Sequence, residues 1–172
     1  MKIGKIILVS LVLIFSFTKG NSQTSIAKGQ SVFIYNFTRL IEWPEEAKSG
    51  NFVIAVYGSA ELASEIKNYT NSKSVGSQQI EVVKCNSLEE IRNPHILFVA
   101  FGKTKEMDAI RNKVGNNHTL IIGEKKGVLE LGAAINFVIV DDKLKFELKS
   151  SNAAKAGLKI HSTLENMAVA KY

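Results

Sequence analysis

Apolar positions along the chain recur with two periods, one of helices and one of strands. In Val32 to Pro44, VFIYNFTRLIEWP, Phe33, Phe37, Leu40 and Ile41 stand at i, i+4, i+7 and i+8, a stripe down one helical face. Ile34 and Tyr35 widen the stripe, so this helix is expected to be buried over much of its circumference. Pro44 has no amide hydrogen and disfavours the α conformation at Trp43, which predicts a stop at about Glu42. Trp43 then stands at the exit, where a large ring with one N–H donor can cover a core edge or line a binding surface.

Downstream the pattern alternates. Phe52 to Tyr57 (FVIAVY), Ile80 to Cys85 (IEVVKC), Ile96 to Phe101 (ILFVAF) and Thr119 to Ile122 read as strands. Between them, Ser59 caps a helix striped by Leu62, Ala63, Ile66 and Tyr69. Ser87 with Glu90 forms a capping box for a short helix, and Met107, Ile110 and Val114 mark a helix closed by Gly115. The last third changes rhythm. Ile135 to Val140 and Lys143 to Leu148 form a hairpin turned at Asp141-Asp142, with Leu144, Phe146 and Leu148 on one face and Lys143, Lys145, Glu147 and Lys149 on the other. Ser151 or Asn152 caps a short helix over Ala153 to Ala156, Leu158 to Ile160 is extended, and Ser162 with Glu165 boxes a terminal helix. The fold class this predicts is α/β: a mixed, mostly parallel sheet covered by helices on both faces, with a C-terminal β-hairpin.

The first residues belong to another pattern. Lys2 and Lys5 precede an apolar run from Ile6 to Phe17, and Gly20-Asn21-Ser22 supply a cleavage site, so residues 1–22 read as a secretory signal. The run of about 12 residues is short of the roughly 20 that span a bilayer. Residues 23–172 are then expected to form one soluble exported domain. Its charge is modest: removing three leader lysines leaves 19 basic against 16 acidic residues, a net +3 without a basic stripe. Nothing there argues for nucleic acid. Cys85 is alone, so no intrachain disulfide forms, and a small buried hydrophobe at a strand end is the expected role.

Catalytic signatures are weak or broken. Gly102-Lys103-Thr104 follows a strand as in a P-loop, but Leu97 stands where the first glycine is required. Gly58-Ser59 suits a helix cap better than an anion site. His95, His118 and His161 lack metal-ligand spacing, and no nucleophile elbow occurs. No catalytic residue, metal or cofactor is therefore expected.

Two polar groups remain. Arg39 and Glu42 flank Trp43 and could rim a protein interface anchored by its ring. Glu147 lies on the polar face of the second hairpin strand, and Lys159 and His161 are two apart on an extended segment, so both point the same way. If the intervening helix folds that segment beside the strand, Glu147, Lys159 and His161 converge on a small anion or zwitterion. Otherwise they are loosely paired surface charges.

Taken together, SVFIYNFTRLIEWP, FVIAVYGSAEL, HILFVAF and INFVIVDDKLKFELKSSNAAKAGLKIHSTLENMA resemble, in order and over nearly the whole mature chain, the YfiR-like family of bacterial exported proteins. The resemblance implies a periplasmic, dimeric, non-enzymatic α/β protein. Such a protein binds the outer domain of an inner-membrane signalling protein, a diguanylate cyclase first, and holds it inactive. It also favours small-ligand sensing at the Glu147, Lys159 and His161 end. The family's repressor is associated with disulfides, which Cys85 alone does not reproduce. From a different class, the chain could be a periplasmic small-molecule-binding module feeding a sensor kinase or transporter; an envelope hydrolase has no motif behind it.

Overall fold

The computed structural model describes residues 20–172, with side chains from Ser25 onward. Residues 1–19 of the expected leader lie outside the described residues. Among those described, no helix is long and apolar enough to cross a membrane.

Helix α1, Gly20–Leu40, carries the predicted stripe, with Ile34 and Phe37 fully buried. It stops two residues before the predicted end. Ile41–Glu42 instead form a short strand, β1, because their backbone pairs with a distant segment. A 3-10 turn over Glu45–Ala47 leads into β2, Phe52–Tyr57. Helix α2, Ala60–Thr70, is capped by Ser59, whose Oγ accepts the Leu62 N–H at 3.2 Å. A two-residue strand β3, Ser74–Val75, precedes β4, Gln78–Cys85. After a 3-10 turn at Leu88–Glu90 come β5, Ile96–Val99, and α3, Met107–Val114, closed by Gly115 at φ +52°. Then follow β6, Leu120–Gly123, and the hairpin strands β7, Ile135–Val140, and β8, Lys143–Leu148. Asp141 and Asp142 are both left-handed, at φ 50° and 56°, as a two-residue hairpin turn requires. The chain closes with α4 (Ser150–Lys155), β9 (Lys159–Ile160), α5 (Ser162–Met167) and β10 (Ala170–Lys171).

The main sheet runs β10-β8-β7-β6-β5-β2-β4-β3. It is parallel except at β7–β8 and β3–β4, so the mixed, mostly parallel sheet with its hairpin is as the pattern predicts. One face packs on α1, α2, α4 and α5 through Ile34, Phe37, Leu62, Ile66, Ala153 and Leu164. The other packs on α3 through Met107, Ile110 and Val114. The central strands β2, β5 and β6 are buried on both faces, which is why they read as unbroken apolar runs. Cys85 ends β4, buried and unpaired, and burial raises its thiol pKa with Glu90 adding to the effect.

Both predicted capping boxes form differently. Glu90 accepts the Asn86 N–H at 2.9 Å, with no side-chain cap from Ser87. At α5 the cap is His161, whose Nδ1 accepts the Thr163 N–H at 3.2 Å, while Glu165 accepts from the Ser150 hydroxyl. Asn152 caps nothing; its amide donates to the Leu129 and Ala133 carbonyls.

Candidate functional site

Strand β9 lies antiparallel to β1, with Glu42 opposite Lys159 and Ile41 opposite Ile160. The isoleucines face the core and the charged pair faces out. Lys159 Nζ sits 3.6 Å from Glu42 Oε1, and the His161 N–H donates to the Leu40 carbonyl at 2.9 Å. Arg39, Glu42, Lys159 and His161 are all exposed on or beside this ribbon. Residues that the sequence assigned to two separate sites thus share one polar patch.

Trp43 is not part of its surface. The side chain is 4% exposed, stands edge-on to Phe52 at 4.9 Å, and donates from Nε1 to the His118 carbonyl at 3.0 Å. Of the two readings of this ring, the fold takes the core one, because β1 turns the chain inward at Trp43 before Pro44 leads it out.

Glu147 also departs from its predicted company. The segment after α4 folds against β1 and not against β8, so no hydrogen bond or ion pair joins Glu147 to Lys159 or His161 among the described residues. Its carboxylate accepts the Asn136 amide at 2.8 Å, with the Tyr172 hydroxyl at 3.5 Å. Asn136 is 1% exposed, and its Oδ1 has no partner. A polar residue inside the apolar run INFVIV was the sequence signal for it.

The order in which strands are added reverses between the parallel neighbours β2 and β5, the place where open α/β sheets commonly hold ligands. Here the protein's own side chains fill it. The Tyr57 hydroxyl donates to Glu106 at 2.6 Å, while Lys103 Nζ lies 4.7 Å from the Tyr57 ring centroid and 3.4 Å from Glu106. Gly58, at φ +91°, makes room: a Cβ there would meet Lys103 Cγ at 2.7 Å. Burial, then the Glu106 hydrogen bond, raises the Tyr57 pKa above 10.0; that same bond, with Lys103, lowers Glu106 below 4.5. The Glu106 contribution to stability is therefore full above the usual carboxylate range and fades as pH falls through its lowered value. Tyr57 acts oppositely, stabilising below its usual pKa and losing that effect as pH rises through the raised one. Urea midpoints across pH should show a shallower acid limb in Glu106→Gln than in the wild type.

No curated protein matches the chain. Among solved structures, a conserved domain protein from Vibrio cholerae O1 biovar El Tor superposes with a TM-score of 0.60 at 8% identity, over 85% of this chain and 60% of that one. The ABC domain in complex with L-Trp from Streptococcus pneumonia gives 0.57 at 14% identity, over 85% and 62%. The chain thus spans about three fifths of either structure, and the likeness is one of fold. The sequence model of the YfiR/HmsC-like family matches residues 27–169, from within α1 to the threshold of β10. That span takes in the ribbon, Asn136 and Glu147 alike, and the chain belongs to the YfiR/HmsC-like family.

Proposed function

We propose that this chain is an exported, non-enzymatic regulator that docks on the periplasmic domain of an inner-membrane signalling protein and represses it, with a diguanylate cyclase as partner ahead of a sensor kinase. Family membership supports the class, and the patch of Arg39, Glu42, Lys159 and His161 supports the mode. Charged side chains backed by the buried Trp43 and the half-buried Ile160 form a fixed polar rim on a rigid support. Repression needs unequal affinity for two states of the partner, since equal binding shifts no equilibrium. The working unit is a homodimer, which light scattering on the mature chain checks.

The test is capture of the partner from gently solubilised inner membranes. The expected result is recovery of a membrane protein bearing a cytoplasmic cyclase domain. Reversing Lys159 to Glu should weaken that capture about tenfold, equivalent to about 1.4 kcal/mol. The same change should barely move the melting temperature, because an exposed ion pair such as Glu42–Lys159 stabilises by only ~0–1 kcal/mol. Recovery of a transporter alone, or capture indifferent to Lys159, would sink the docking assignment.

A further inference from the structure

Past Asn136, strand β7 has one open side. The β6–β7 ladder ends at Gly123 and Asn136, whereas β7 runs on to Val140 paired with β8 alone. A hollow of about 470 Å³ lies along that side, with Ile26, Lys126, Val138 and Ile139 among its walls. The two-residue turn makes Val140, Val138 and Asn136 the residues whose peptide groups bond to β8. Ile139 alternates with them, so its N–H and C=O face the open side and have no ladder partner among the described residues.

The two free edges at the hairpin tip differ in their defences. On β8, the stretch ahead of the β10 pairing carries Lys143 and Lys145, which discourage another strand. On β7, residues 137–140 read FVIV, with no charge, proline or glycine. Ile139 is 52% exposed there, and Val138 and Val140 are half-buried. An apolar edge in this condition is a template for a further strand.

The gap fits a second β7. Gly123 already occupies the place beside Asn136, so a strand laid against this edge reaches no further than Phe137. A second β7 arriving antiparallel ends at Val140 and turns back at Asp141-Asp142. Of the symmetric registers that satisfy both limits, the one pairing most strand residues sets Ile139 opposite its own counterpart and Val138 opposite the counterpart of Val140. All of these are β-branched cross-strand pairs. The second copy's β8, one strand spacing further out, then comes in above the end of β5, where Phe101 is 60% exposed.

Charge agrees with this register. It brings the acidic turn of one copy beside Lys125 and Lys126 of the other, which follow the end of β6. Asp141, Asp142, Lys125 and Lys126 have no ion pair among the described residues. The neighbouring Glu124 is held by the Gln30 amide and the Phe101 N–H. Because the contact is isologous, it consumes both open edges and closes at two copies.

We propose that the open edge of β7 is the interface between two copies of this chain, joined through Ile139, with each acidic turn docked on the lysines of the other copy. The proposal rests on the homodimer reading above and gives that dimer its surface. The β1–β9 patch, at the other end of α1, stays free for a partner.

Sedimentation velocity over a dilution series should give a dimer for the mature wild type and a monomer for Ile139→Lys, whose dimer dissociation constant should rise about tenfold or more. The position is already half exposed, so the variant monomer keeps its fold. Ile139→Cys reads the register directly. A hydrogen-bonded antiparallel pair holds its Cα atoms about 5.5 Å apart, within disulfide reach, so mild oxidation should trap a covalent dimer. Asp142→Cys, at the turn, should not cross-link, and Cys85 is buried. Replacing Asp141 and Asp142 together by Asn keeps residues that accept the left-handed turn while removing its charge, and should weaken the dimer severalfold at low salt. A monomeric wild type overturns this interface and the homodimer together. Survival of the dimer in folded Ile139→Lys, or failure of Ile139→Cys to cross-link, overturns the interface alone.

Discussion

Trp43→Ala is expected to lower the unfolding free energy by about 3–5 kcal/mol, the range for truncating a buried aromatic. The indole is the first ring of a short column. It meets Phe52 edge-on at 4.9 Å, and Phe52 stacks on the His95 imidazole at 4.4 Å. His95 is fixed from both sides, its Nδ1 accepting the Val53 N–H at 3.0 Å and its Nε2 donating to the Ala47 carbonyl at 2.7 Å. Removing the indole opens a cavity at the head of this column and leaves the His118 carbonyl without its donor. Trp43→Phe keeps an aromatic ring but not the N–H, and should cost about 1–3 kcal/mol. Urea denaturation of both variants measures the difference. A melting temperature unmoved in Trp43→Ala, with partner capture abolished, would instead make the indole an interface anchor and contradict its burial.

Phe37→Ala should be of similar size, about 3–5 kcal/mol, for a different reason. Its ring has no exposed surface and lies 5.2 Å from Phe146 and 6.0 Å from both Phe33 and Phe137. These contacts hold α1 to the β7–β8 hairpin, and aromatic pairs add about 0.5–1.5 kcal/mol each beyond their buried area. Hydrogen exchange should therefore report the loss locally, with hairpin amides opening before those of β2 and β5. Uniform loss of protection across the sheet would show that the helix and hairpin are not a separable unit.

The strands were legible because their environment is simple. Phe52–Tyr57 and Ile135–Val140 have the bounds their composition predicts, since β2 is buried on both faces and β7 is tied to a two-residue turn. The caps were less legible because a carboxylate at the right spacing has other donors in a folded chain: Glu165 takes the Ser150 hydroxyl, and His161 takes over the cap. The ribbon was not legible at all. Two residues carry no periodicity, and nothing local says that Lys159 pairs with Glu42 and not with the strand bearing Glu147. Glu147 stood out as a charge, but its partner, the Asn136 amide on the neighbouring strand, follows only from the hairpin register.

The ribbon has a kinetic meaning as well. Its two strands come from opposite ends of the fold, so joining them closes a loop that encloses nearly all of the main sheet. Two ladder positions offer little to offset the entropy of that closure unless the intervening chain is already ordered. Contacts of such sequence separation form late, after the local hairpin and the βαβ units. The charged patch therefore comes into being only with the last step of folding. If the patch docks as proposed, a chain stalled before that step, or a degraded fragment of it, lacks the docking surface and does not compete with complete copies for the partner.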